Sequence, residues 1–141
     1  MKIGIVGCAG RMGRMLVNET AKIAGCEVGG GTDLAGKDVT LIAGLEESGV
    51  LVGDDPRALF EAVDAVIDFT APAATMNHAK LAAETGKIHV IGTTGLSNDQ
   101  KAELKVAAKT ATIIFAPNMS VGVNLAFALV EKVAAILDKD T

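Results

Sequence analysis

Short apolar runs rich in Val and Ile alternate along this chain with longer stretches whose apolar positions recur at helical spacing. Lys2–Val6, Cys26–Gly30, Val50–Val52, Ala65–Asp68, His89–Ile91 and Thr112–Phe115 are expected to be strands. Arg11–Ala24, Arg57–Ala62, Ala73–Thr85, Asn98–Thr110 and Val121–Leu137 are expected to be helices. Strands that are apolar at nearly every position are buried on both faces, and helices between them provide parallel crossovers. The pattern predicts an α/β fold, a doubly wound parallel sheet with helices on both faces. Local signals agree. Ser97 with Gln100 reads as a capping box, and Pro72 suits a first helical turn after Thr70. Gly25 and Gly86 stand just past expected helix ends. Leu34–Gly49, with three glycines and mixed charge, reads as a surface excursion between the second and third strands.

Composition narrows the functional classes. A chain of 141 residues is one domain by size and long enough to bury a core. Net charge is −4 with no Lys/Arg run, which argues against nucleic acid or an anionic membrane as partner. The first apolar run is four residues long and ends in a glycine turn, unlike a secretory leader. Val121–Leu137 is short for a membrane span and carries Glu131 and Lys132. Cys8 and Cys26 show no metal or redox spacing, so free thiols in a reducing cytoplasm are expected, and no metal site. Asn118-Met119-Ser120 fits a glycosylation pattern that is idle without secretion.

The chemistry is concentrated after the strands. Gly7-Cys8-Ala9-Gly10-Arg11-Met12-Gly13 follows the first strand, and Asp33 comes twenty residues after Gly13. A strand that turns tightly into a helix offers free N–H groups and the helix dipole to a pyrophosphate. An acidic residue about 20 positions further on receives a ribose hydroxyl in such sites. The spacing departs from G-x-G-x-x-G: Cys8 stands where the first glycine belongs and Gly7 lies one residue early. A tight turn without a ligand fits the same residues. The other strand ends carry Asp68-Phe69-Thr70, Gly92-Thr93-Thr94-Gly95 and Ala116-Pro117-Asn118-Met119-Ser120. In an open parallel sheet all of these share one edge, where ligands bind. Gly92–Gly95 offers backbone groups and hydroxyls suited to a planar amide, or is an ordinary capping turn. Asn118 and Ser120 also fit helix N-caps. Asp68 reads as an acceptor for neighbouring loop N–H groups, and His78 and His89 read as structural. Phe69 fits both the core and a ligand wall.

Together these segments resemble the N-terminal half of the dihydrodipicolinate reductase (4-hydroxy-tetrahydrodipicolinate reductase) family. The resemblance is carried by Gly7–Arg14, by Ile67-Asp68-Phe69-Thr70 with Pro72, and by Asn77-His78. Val90–Gly95 and Ala116–Asn124 carry it more specifically than the glycine turn. It covers essentially the whole chain in order. It implies a Rossmann-like fold and an oxidoreductase of the diaminopimelate and lysine route that uses NADH or NADPH. By the same resemblance, Gly7, Cys8, Ala9, Gly10, Arg11 and Met12 hold the pyrophosphate, and Asp33 holds the adenosine ribose. Phe69, Gly92, Thr93 and Thr94, with Ala116, Pro117, Asn118 and Met119, wrap the nicotinamide end. The family often has Asn-Phe where this chain has Asn118-Met119.

The family continues into a substrate domain with a paired-histidine segment, a nearby lysine and an Asp-Ala-Pro-Ser-Gly-Thr-like loop. No such residues occur here. Residues 1–141 are therefore read as one dinucleotide-binding domain with no catalytic residue of its own, inactive alone. A small dicarboxylate substrate would bind only with the further domain, and the resemblance implies a homotetramer for the full-length form. Leu34 occupies the position where an arginine in the family often assists NADPH, so NADH is expected to bind at least as tightly as NADPH. Two alternatives are a stand-alone NAD(H)-binding sensor or regulatory module, and another amino-acid-pathway dehydrogenase domain. A downstream coding segment with His-His and Lys-x-Asp would separate them.

Overall fold

The computed structural model describes residues 1–37, 50–116 and 118–137. Most of the Leu34–Gly49 excursion, and Pro117, lie outside the described residues. In chain order the elements are β1 (Lys2–Val6), α1 (Arg11–Thr20), β2 (Glu27–Thr32), β3 (Leu51–Gly53), α2 (Pro56–Ala62) and β4 (Ala65–Asp68). They continue with α3 (Pro72–Thr85), β5 (Ile88–Ile91), α4 (Asn98–Ala107), β6 (Thr112–Phe115) and α5 (Val121–Leu137). The six strands form one parallel sheet in the order β3-β2-β1-β4-β5-β6. This is the expected Rossmann-like sheet, with its order reversing between β1 and β4.

Register levels the strand ends. Val6 pairs with Thr32 on one side and Asp68 on the other. Asp68 pairs with Ile91, and Ile91 with Phe115. The loops that follow these residues therefore emerge side by side along one edge.

The core lies on both faces, unequally. Ile3, Ile5, Cys8, Val17 and Ala65 pack together beneath α1. On the opposite face Val6, Leu59, Phe60, Val63, Val66 and Ala82 pack under α2 and α3. Met76, Ala79, Ile91, Leu96 and Leu104 continue that layer under α3 and α4. α5 has no buried residue: Phe127 is 63% exposed and Val130 66%. Among the described residues, no helix is long and apolar enough to cross a membrane.

Most helix punctuation follows the local signals. Ser97 and Gln100 form the capping box of α4, and Gly86 closes α3 in the left-handed conformation at φ 67°. Asp55 caps α2 by accepting from the N–H groups of Arg57 and Ala58. The boundaries shift in instructive ways. α1 ends at Thr20, four residues earlier than expected, because the chain tightens into i→i−3 bonds from Lys22 to Glu19 and from Ile23 to Thr20. Gly25, at φ 83°, closes that turn and not the helix. α4 likewise ends at Ala107. β2 runs on to Thr32 through Gly29-Gly30-Gly31, a poor strand sequence held by pairing with β1 and β3. A Cβ on Gly29 would come 2.8 Å from the Val63 side chain, so the glycine lets β2 pass under the end of α2.

Candidate functional site

The turn after β1 is held by the end of β2. The N–H groups of Gly7 and Cys8 donate to the Thr32 carbonyl at 2.7 and 3.1 Å. Ala9 N–H donates to Asp33 Oδ2 at 2.9 Å, and Gly10 N–H to the Gly7 carbonyl at 3.0 Å. The helical ladder starts with Arg14 N–H on the Gly10 carbonyl. That leaves the N–H groups of Arg11, Met12 and Gly13 without protein partners among the described residues, as the first turn of a helix requires. These are the donors available to an anion, reinforced by the helix dipole.

The glycines divide their labour. Gly7 takes φ 72°, which favours glycine, and its Cα faces the Thr70 methyl. A Cβ on Gly13 would overlap the Gly7 carbonyl oxygen and sit 2.6 Å from Cys8 Cα, so α1 crosses β1 only because that Cβ is missing. Gly10 has φ −70°, which any residue adopts, and a Cβ there would meet only the Gly7 oxygen at 3.2 Å. Gly10 therefore keeps open the space over the helix N-terminus without any special backbone angle.

Cys8 turns its side chain inward, fully buried against Ile5 and Val17. Burial first, and the nearby Asp33 carboxylate second, push its thiol up to about 11. It is an inert core thiol, and only its backbone faces the turn. Arg11 and Met12 are exposed at the start of α1. The second oxygen of Asp33, Oδ1, accepts Leu34 N–H at 2.8 Å, so the carboxylate is tied both to the glycine turn and to its own loop.

Two clefts of about 520 Å³ each adjoin along this edge. One is lined by Gly7, Gly10, Asp33, Leu34, Asp54, Asn77 and His78. The other is lined by Met12, Gly92, Thr93, Thr94, Asn118, Met119 and Ser120. Phe69 and Thr70 face both. Gly10 belongs to one cleft and Met12 to the other, so the N-terminus of α1 sits between them. The result is a trough with an acidic end, free helix N–H groups in its middle and a hydroxyl-rich end. Ala116 is half-buried at the end of β6, outside the linings of both clefts, and Pro117 lies outside the described residues. Asn118 Oδ1 accepts Ser120 N–H at 2.9 Å and Ser120 Oγ accepts Val123 N–H at 3.4 Å, so both side chains also cap the start of α5.

The Phe69 ring fills the space beside Gly92, where any Cβ would overlap it. The ring thus joins the loops after β4 and β5 and forms a shared wall. Behind it, Asp68 is fully buried and accepts from the N–H and hydroxyl of Thr70 at 2.9 and 2.6 Å. Its other oxygen meets His78 Nδ1 at 2.8 Å and His89 Nε2 at 3.2 Å. Burial alone would raise this carboxyl. The hydrogen bonds from His78, His89 and Thr70 more than offset it and hold Asp68 well below the usual carboxylate range. The loop bonds of Asp68 match the sequence reading, whereas its two histidine partners were not foreseen. The chain alone carries no signal of them: His89 lies two residues before Ile91, and only the register that pairs Ile91 with Asp68 puts the His89 and Asp68 side chains on one sheet face. The ligand atoms of these three residues lie within 4.8 Å of one another, which a metal ion also requires, but both carboxylate oxygens are already engaged by protein donors.

Comparison with known proteins agrees with this architecture. Residues 1–119 match the family model described as dihydrodipicolinate reductase, N-terminus. A 4-hydroxy-tetrahydrodipicolinate reductase from Rhizobium meliloti is 45% identical over 99% of this chain and 60% of its own length. The one from Aromatoleum aromaticum is 47% identical over 98% of this chain and 51% of its own. Among solved structures, the dipicolinate-bound dihydrodipicolinate reductase from Paenisporosarcina sp. TG-14 superposes with TM-score 0.70 at 25% identity, covering 89% of this chain and 50% of that one. The apo scyllo-inositol dehydrogenase from Lactobacillus casei, at 22% identity and TM-score 0.69, shares the fold. The chain spans about half to three fifths of the length of the curated relatives it matches. With the family match running from the glycine turn through Asn118-Met119 on this sheet, the chain belongs to the dihydrodipicolinate reductase family, as its N-terminal part.

Proposed function

We propose that this chain binds a nicotinamide dinucleotide across the trough and serves as the cofactor-binding half of a 4-hydroxy-tetrahydrodipicolinate reductase acting in diaminopimelate and lysine biosynthesis. The observation that carries the reading is that the start of α1, where the N–H groups of Arg11, Met12 and Gly13 are unbonded among the described residues, lies between a carboxylate cleft and a hydroxyl cleft. The residues present fit the group. Asp33 offers remaining lone pairs to the adenosine ribose, the α1 N-terminus meets the pyrophosphate, and Phe69, Gly92–Thr94 and Asn118-Met119 enclose the nicotinamide end. The bound nicotinamide supplies the hydride, while the protein supplies position and electrostatics. Asp33 beside Leu34 suits a 2′-hydroxyl and repels a 2′-phosphate, so NADH binds at least as tightly as NADPH. The acid and the anion site for a dicarboxylate substrate come, by family resemblance, from a further domain, and these 141 residues alone bind cofactor without turnover. The full-length form acts in the cytoplasm as a homotetramer.

The test is a fluorescence titration of the chain with NADH and NADPH, beside an assay with freshly generated substrate. Saturable NADH binding without turnover is the expected result. A clear preference for NADPH sinks the assignment of Asp33, and measurable turnover sinks the placement of the catalytic groups elsewhere.

A further inference from the structure

A turn after a strand needs one acceptor for its N–H groups, and an Asn or Ser would provide it. Here a fully buried carboxylate stands instead, with five donors converging on it from α3, β5 and the loops after β4 and β5. Burying an anion costs several kcal/mol unless it is saturated with partners, so this cluster answers a stricter demand than closing a turn. Oδ1 of Asp68 takes the Thr70 N–H, the Thr70 hydroxyl and, at 3.3 Å, the Thr93 hydroxyl. Thr93 Oγ1 in turn accepts from Thr70 N–H at 3.1 Å and from the Thr75 hydroxyl at 2.8 Å. The Thr93 hydroxyl therefore has every bond it can make, and a relay runs from Thr75 through Thr93 to Asp68.

The second oxygen is anchored from behind. His78 on α3 and His89 on β5 hold Oδ2, and Phe60 lies against both rings at centroid distances of 6.3 and 5.7 Å. His89 Nδ1 is buried with no partner among the described residues. An unpaired lone pair there is less costly than an unpaired N–H, which puts the proton on Nε2, facing Asp68. The loops clamped by Oδ1 are those that line the trough. Thr70 packs against Gly7 and faces both clefts, and Thr93 lies between Gly92 and Thr94 in the hydroxyl-rich one.

We propose that Asp68 is a positioning residue for the nicotinamide end of the dinucleotide site, acting through Thr70 and Thr93 while His78 and His89 hold its other oxygen. The inference rests on the dinucleotide reading above. It fixes the gap between the loops after β4 and β5, and leaves the adenosine end to the glycine turn and Asp33.

The experiment titrates NADH and ADP separately into the 141-residue chain, comparing wild type with Asp68→Asn and Thr75→Val. Thr75 is fully buried and lines neither cleft, so any effect of its substitution on binding is transmitted. Losing a hydrogen bond to a charged group should weaken NADH about tenfold or more in Asp68→Asn, and losing the relay about threefold in Thr75→Val. ADP, which engages the adenosine end and the α1 N-terminus but not the nicotinamide end, should stay within about twofold in both. Should Asp68→Asn fail to fold, Thr75→Val carries the comparison. If wild type binds and the variants weaken NADH and ADP equally, or neither, the positioning role is overturned while the dinucleotide reading stands. A wild-type chain that binds neither ligand overturns both.

Discussion

The two ends of the trough are built on opposite plans. At the Asp33 end the protein offers main chain. Gly7, Gly10 and Gly13 remove side chains so that β1 and α1 approach closely and the cleft beside them stays open. At the Thr93 end it offers side chains, and hydroxyls are locked onto a buried carboxylate two loops deep. The contrast teaches that one edge can be made specific by subtraction or by anchoring. Subtraction is intolerant of added atoms. Anchoring is intolerant of lost charge.

Gly13→Val breaks the first plan most severely. Its side chain would have to occupy the Gly7–Cys8 backbone, which cannot yield, so the fold should lose about 3 kcal/mol or more. A urea midpoint close to wild type would show that α1 can lift off β1 freely.

Asp68→Asn tests the second plan and carries a pH signature. The folded carboxyl is held below its unfolded value near 3.9, so its stabilisation is complete above that pH and lost as pH falls toward the folded value. The stability gap between wild type and Asp68→Asn should be about 2 kcal/mol at pH 7 and shrink progressively below about pH 4. Urea melts at both pH values measure it, and a gap that does not narrow in acid argues against an ionised anchor.

Gly10→Val separates binding from folding at the subtractive end. The backbone angle suits valine, and only the Gly7 oxygen stands near the new Cβ. The sheet should form, while dinucleotide affinity falls about tenfold or more as the space over the helix N-terminus is filled. Unchanged affinity would place the ligand elsewhere.

The smallest effect is expected outside both ends. Phe127 on α5 is 63% exposed, so Phe127→Ala should change stability by less than about 0.5 kcal/mol. A larger loss, read from the urea midpoint, would mean that α5 packs on the domain in solution.

The sequence itself determined the kinds and order of the elements, because periodicity, caps and glycine turns are written in neighbouring residues. Ser97 with Gln100, and the strand-to-helix turn at Gly7–Gly13, need no distant partner to be recognised. It also determined that five strand ends with polar loops share one edge, since parallel strands joined by helices all point one way. Boundaries were less legible. β2 continues through three glycines whose own propensity argues against a strand, and only pairing with β1 and β3 extends it.

What the tertiary structure alone decided is the company of Asp68. His78 comes from a helix ten residues later and His89 from the next strand, and neither spacing signals the other in the chain. Strand register and the packing of α3 bring them to one oxygen, where burial makes every donor count. Tertiary packing likewise turned Cys8 inward, gave a positive φ to Gly7 and an ordinary one to Gly10, and left α5 without a buried residue. Each of these depends on which surfaces meet in three dimensions, and a local pattern of residues carries no record of that.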